Sequence, residues 1–179
     1  MGGDFARNET IVDVGEESFI LQWEVADIYT EERWTCMPEG LREDQALGGL
    51  MDALLLGPDA LVTVRVVSNQ GVTIPADMQP EDSWWQTLQI QAQSTTGSIG
   101  GTIHLEFEAI GIESITVPAG TFDALAVNVT ADVGFGSSTL KYEGTDWFAA
   151  GVGRVLSIGE MSGSVTSSYQ LELISYSIP

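Results

Sequence analysis

Apolar and polar side chains alternate with a period of two along much of this chain. Phe19, Leu21, Trp23 and Val25 alternate with Ser18, Gln22 and Glu24. Trp84, Leu88, Ile90 and Ala92 share one parity; Trp85, Thr87, Gln89 and Gln91 share the other. Ile103, Leu105, Phe107 and Ala109 interleave with His104, Glu106 and Glu108, and Leu140, Tyr142 and Phe148 stand opposite Lys141, Glu143 and Thr145. Successive side chains of a strand point to opposite faces, so each run predicts a half-buried strand. Ala60 to Val67, Tyr29 to Cys36, Arg154 to Glu160 and a last run through Val165, Tyr169, Leu171 and Leu173 extend the pattern.

The punctuation agrees with this. Between Ile115-Thr116-Val117 and Leu125-Ala126-Val127-Asn128-Val129 stand Pro118-Ala119-Gly120-Thr121. Pro118 presets its own φ and Gly120 tolerates a positive one, so a tight hairpin is expected, with Phe122 anchoring its corner in the core. Ser68-Asn69-Gln70-Gly71, the Gly/Ser/Thr cluster from Ser94 to Gly101, and Gly151-Val152-Gly153 are expected to be further turns. The count is about nine strands, spaced roughly as an antiparallel all-β fold requires.

One stretch breaks the period. In Glu43 to Leu56, Ala46, Leu47, Leu50, Ala53 and Leu54 fall at helical spacing, while Gly48-Gly49 costs about 1 kcal/mol per glycine relative to alanine. A short amphipathic helix or an irregular loop is expected there, lying as a lid on the apolar sheet face. The expected class is all-β and mainly antiparallel, a curved meander sheet or half-barrel, with a β-sandwich as the alternative. Residues 1–10 are expected to be loose and residues 11–179 to form a single β-rich domain.

Charge narrows the function. Against 26 Asp and Glu there are 6 Lys and Arg, a formal net charge of −20. Nucleic acid needs a basic footprint and an anionic membrane surface attracts one, so neither is an expected partner. The single cysteine, Cys36, allows no intrachain disulfide and is expected to be a small buried hydrophobe. No run approaches the roughly 18 apolar residues of a spanning helix. Met1-Gly2-Gly3-Asp4 carries no signal-like charge and apolar core, so a signal or anchor is expected to lie outside this chain.

Catalytic chemistry finds little to stand on. His104 is the only histidine, which with one cysteine excludes a His- or Cys-rich zinc site. There is no G-x-S-x-G elbow, P-loop or dinucleotide fingerprint. Glu106 and Glu108 share a strand face and are expected to be solvated. Asp77, Glu81 and Asp82 share an acidic loop without the spacing of a calcium hand. No catalytic residue, metal or cofactor is assigned, and an enzyme is not expected.

Two tryptophans stand out instead. Trp84 and Trp85 are adjacent and cannot both enter one core, so Trp85 is expected on the polar face with Thr87, Gln89 and Gln91. Trp147 falls on the side of Lys141, Glu143 and Thr145. Exposed aromatic rings on a curved, concave sheet face suit an apolar or carbohydrate ligand. A non-catalytic binding or interaction domain is therefore expected, with Trp85 and Trp147 as its ligand residues. The alternatives are a structural or self-assembling envelope subunit, meeting an envelope protein partner, and, with least support, a hydrolase.

Three passages carry a resemblance. They are Trp34-Thr35-Cys36-Met37-Pro38-Glu39-Gly40-Leu41; Ile74-Pro75 with Pro80-Glu81-Asp82-Ser83-Trp84; and Val117-Pro118-Ala119-Gly120-Thr121-Phe122 with Trp147-Phe148-Ala149-Ala150-Gly151-Val152-Gly153. Their order and spacing resemble a loose group of uncharacterised bacterial extracytoplasmic lipoproteins and secreted proteins. In that group a VPAGTF hairpin precedes a W-[YF]-A-x-G-V-G corner. Ala150 stands where the pattern usually has proline. The resemblance implies an extracytoplasmic location, periplasmic, cell-surface or secreted, and a half-barrel like that of lipoprotein carriers. It carries no catalytic residues over.

Overall fold

The computed structural model describes residues 7–25, 28–45, 63–94, 97–163 and 166–177. Among them the fold is all-β and antiparallel, with twelve strands where the sequence pattern suggested about nine. The strands are β1 Arg7–Val12, β2 Ser18–Val25, β3 Ile28–Met37, β4 Gly40–Glu43, β5 Thr63–Gly71 and β6 Ile74–Pro75, followed by β7 Ser83–Ser94, β8 Gly97–Val117, β9 Gly120–Phe135, β10 Ser138–Ala149, β11 Gly153–Gly163 and β12 Ser167–Glu172. They form a five-stranded sheet, β1-β2-β3-β4-β6, and a curled, half-barrel sheet in the order β12-β11-β10-β9-β8-β7-β5. The chain divides into two compact units: Met1–Ala76 with Leu88–Gly100, and Asp77–Thr87 with Gly101–Pro179.

Three strands, β1, β4 and β6, lie outside the expected runs, and others run on through polar and glycine-rich stretches. Ser68 to Gly71, expected to be a turn, completes β5, where the Asn69 amide donates to the Glu43 carbonyl at 2.8 Å. Gly97 to Gly101 is likewise strand rather than turn, and Gly101 and Thr102 pair with Phe135 and Gly134. Backbone pairing across a sheet decides these segments, whose one large apolar side chain, Ile99, is exposed. Residues 7–10, read from sequence as loose, belong to β1 and pair with Glu24 and its neighbours on β2. Glu43 ends β4; the rest of the expected helix, including Leu47, Leu50 and Leu54, falls almost wholly outside the described residues.

In the first unit, β2 and β3 pair with Phe19 opposite Trp34 and Leu21 opposite Glu32. Trp23, Glu32 and Trp34 are buried. Cys36 is exposed, contrary to the expected burial. It lies one residue from the end of β3, beside the Met37–Gly40 turn; its backbone is held on both sides, pairing with Leu41 and donating to the Glu17 carbonyl at 2.7 Å, and the side chain is what stays open.

In the second unit the alternation holds over β8 and β9. Ile103, Leu105, Phe107 and Ala109 pair with Val133, Ala131, Val129 and Val127, and all eight are buried. His104, Glu106 and Glu108 pair with Asp132, Thr130 and Asn128 on the opposite, polar face. A bulge at Ala109/Gly111 shifts the register, and the Asp77–Asp82 loop satisfies it: Glu81 donates to the Ala109 carbonyl and Ala109 donates to that of Asp82. Past the bulge, Ala124 to Val127 are buried on both parities. Ala124, Ala149 and Val155 form a second small core there, with Ile115, Phe122, Trp147, Val152 and Leu173 packed against it. The Pro118-Ala119 hairpin closes as expected, Val117 pairing with Gly120 at a φ of +139°, and the half-buried Phe122 packs edge-on to Tyr176.

Candidate functional site

The polar face of the second unit is built by strict parity. On β7, Trp84 turns inward and stacks on Phe107 at 5.3 Å between centroids. Its neighbour Trp85 must therefore face out, and it is 46% exposed. The Trp85 ring lies 6.4 Å from that of His104, tilted by 33°. The Thr87 hydroxyl sits 2.7 Å from His104 Nδ1, and the Glu106 carboxylate lies 3.5 Å from Nε2. The histidine is thus hydrogen-bonded at Nδ1 and faces a carboxylate at Nε2, beside an open indole. Along the same row of the sheet, Asp132 meets Lys141 at 3.0 Å, and both are well exposed. The patch is an aromatic platform ringed by hydrogen-bonding groups, with carboxylates outnumbering the one lysine.

The structure does not bring Trp147 to this patch. Trp147 pairs with Ala126, whereas the His104 row crosses β10 at Lys141. The six-residue step from Lys141 to Trp147 spans about 20 Å at the rise of a strand. The Trp147 ring is half-buried against the Ala124–Ala149–Val155 cluster, and its N–H donates to Glu113 at 2.9 Å. It lies on the parity the sequence indicated, but there the polar face has given way to packing.

The apolar face holds a polar chain that the sequence reading missed. The Tyr142 hydroxyl lies 2.7 Å from that of Tyr169, with the rings nearly parallel at 6.2 Å. Tyr169 reaches Ser157 at 3.3 Å, Ser157 donates to Asp146, and Arg154 approaches the other Asp146 oxygen at 3.5 Å. Because Ser157 spends its one hydrogen on the carboxylate, it accepts from Tyr169, which in turn accepts from Tyr142. The chain therefore has a direction, running from Tyr142 to Asp146. Burial pushes the Tyr142 phenol well above its ordinary value; Tyr169 and the Asp146 charge push the same way, against a smaller opposing pull from Arg154.

Room for the Tyr142 ring comes from two glycines paired across β10 and β11. A Cβ on Gly144 would stand 2.2 Å from the Tyr142 oxygen, and one on Gly159 would stand 2.6 Å from the ring. A signal was present in the sequence. Gly144, Asp146, Ser157 and Gly159 all fall on the parity that is apolar elsewhere, and four such positions on neighbouring strands mark a polar inlay.

The acidic loop spends its groups locally: Asp82 accepts from the Gln79 N–H at 2.8 Å and Asp77 from the Gln79 amide at 2.7 Å. Among the described residues, no group of three or more His, Cys, Asp or Glu is arranged to hold a metal ion.

Residues 66–165, more than half of the chain, match the DUF3108-like family. This chain belongs to that family. The matched stretch contains Trp85, Thr87, His104, Glu106 and most of the tyrosine chain, but ends before Tyr169. A solved structure from Bacteroides fragilis, of a protein regarded as exported and described as having a YmcC-like fold, is similar with a TM-score of 0.58. The two share 18% identity over 94% of this chain and 85% of that one, which shows a common fold for this DUF3108-like member. No curated protein matches the chain in sequence.

Proposed function

We propose that this protein is a non-catalytic binding domain that works outside the cytoplasm and takes a carbohydrate on the polar face of its half-barrel sheet. One observation carries this reading. Trp85 stands open on that face beside Thr87, His104 and Glu106, an arrangement in which the ring stacks on a sugar face while the polar groups address its hydroxyls. The compartment is supported by the fold shared with a protein regarded as exported. Thr87 and His104 lie at hydrogen-bonding distance, as a nucleophile and base would. Yet His104 and Glu106 are 42% and 70% exposed, which leaves the pair in water and favours binding over catalysis.

The competing reading, a self-assembling envelope subunit, is disfavoured by Glu143 lying directly opposite Glu160 on the same face. Stacking copies through that face would crowd like charges together.

Titration with soluble oligosaccharides of neutral and amino sugars, followed by tryptophan fluorescence and calorimetry, tests the proposal. Saturable binding is expected in the parent, lost at least tenfold in Trp85→Ala with an unchanged melting temperature. Trp147→Ala is expected to lower the melting temperature while leaving the site intact. Equal binding by Trp85→Ala would remove the platform from the account.

A further inference from the structure

The first unit holds a buried hydrogen-bond donor to which no described residue offers an acceptor. Trp23 and Trp34 lie on one face of the small sheet, 8% and 9% exposed. The Trp23 N–H donates to the buried Glu32 carboxylate at 2.7 Å. The Trp34 N–H, on the same face, meets no acceptor among the described residues. An indole nitrogen can only donate, so it gains nothing by turning to another donor. Buried polar groups are nearly always paired, and one left unpaired calls for a ligand or ordered water.

The surroundings say what kind of oxygen belongs there. Phe19, directly opposite Trp34 in register, lies parallel to it within 1° at 6.1 Å. Leu21 stands opposite Glu32. The body of an occupant therefore meets aromatic and aliphatic surface. Glu32, two residues along the strand on the same face, carries a buried carboxylate, which repels an anionic acceptor such as a fatty-acid or phosphate oxygen. A single bridging water would need two or more polar partners; the ring stacked beside Trp34 offers none, and the Glu32 carboxylate on the same face already accepts from Trp23.

We infer that Trp34 marks a second binding site, for an apolar molecule bearing one uncharged acceptor oxygen, such as an ester, ketone or ether. It lies outside the stretch matched by the DUF3108-like family and does not depend on the Trp85 reading.

The full chain, labelled with nitrogen-15, tests it directly. The five tryptophans give five indole N–H resonances, and the one missing from Trp34→Phe is that of Trp34. Methyl decanoate and the decanoate ion serve as matched probes. The ester is expected to move the Trp34 resonance downfield to saturation, and decanoate to bind about tenfold more weakly or worse. Glu32→Gln should narrow that gap. Trp34→Phe should weaken the ester by roughly five- to tenfold, the share of one neutral hydrogen bond. An unmoved resonance at the solubility limit of the ester overturns the proposal, as does equal binding of ester and anion, or unchanged ester affinity in Trp34→Phe. Should that variant fail to fold, the response of the parent's five indole resonances to ester and anion still decides.

Discussion

The two faces of the half-barrel sheet break the same rule in opposite senses. On the polar face an indole, Trp85, stands among threonine, histidine and carboxylates. On the apolar face a file of hydroxyls ending in a carboxylate runs from the half-buried Tyr142 and Tyr169 to the buried Ser157 and Asp146. The first exception costs the fold almost nothing, because an exposed ring has lost no partner. The second is tolerated only because every member is bonded to the next, and removing the acceptor at its end strands the donors behind it. The difference separates their roles: the exposed exception is free to meet a ligand, while the buried one is bound to the architecture.

The sharpest way to break this contrast is at Asp146. Asp146→Ala removes the acceptor of the 1%-exposed Ser157 hydroxyl and the counter-charge of Arg154. A loss of about 2–3 kcal/mol is expected in urea unfolding, in line with hydrogen bonds to charged groups. Gly144→Ala comes next. Its new Cβ would meet both the Tyr142 oxygen and the Ile158 carbonyl, and the latter, being backbone, cannot swing aside. About 1–3 kcal/mol is expected from this overpacking, and Tyr142→Ala in the same chain should recover only part of it. If Asp146→Ala or Gly144→Ala melts like the parent, the tyrosine chain is not structural and the contrast collapses.

How far these features could be read beforehand follows the same division. Trp85 was legible because two adjacent tryptophans on a strand cannot share a face, a rule that needs no knowledge of the partner strand. The antiparallel strands and the Pro118 hairpin were legible for similarly local reasons, whereas the half-barrel was what the family resemblance implied. The tyrosine chain was not, since it joins β10, β11 and β12, and the sequence separation of 27 between Tyr142 and Tyr169 hides their contact. Trp147 shows parity failing in the other direction. Its side of the strand was assigned correctly, but the bulge between Trp147 and Phe148 and the alanines opposite turn that end of the polar face into packing. Cys36 and the Gly97 segment were misjudged because exposure at a strand end and pairing of a glycine-rich strand are decided by neighbours, not by composition.

The smallest effect is also the most specific. Tyr142→Phe deletes one hydroxyl at the start of the chain, leaving Tyr169 still able to donate to Ser157. A cost of only about 1 kcal/mol is expected near neutral pH. The two proteins should part company in alkali. The folded-state value of Tyr142 is raised above the ordinary 10.0. Above pH 10 the unfolded chain therefore sheds this proton while the folded chain keeps it. Fewer protons bound in the unfolded state means stability falls as pH rises, by up to about 1.4 kcal/mol per pH unit for one group. Below pH 10 both states keep the proton and the term vanishes. Other tyrosines and lysines add their own slopes, so the difference between parent and variant isolates Tyr142. The parent should lose stability between pH 10 and 11.5 more steeply than Tyr142→Phe, until the variant's neutral-pH deficit is erased or reversed. Parallel curves across that window would show that the Tyr142 phenol ionises as readily in the fold as outside it, and the directed chain toward Asp146 would then have to be redrawn.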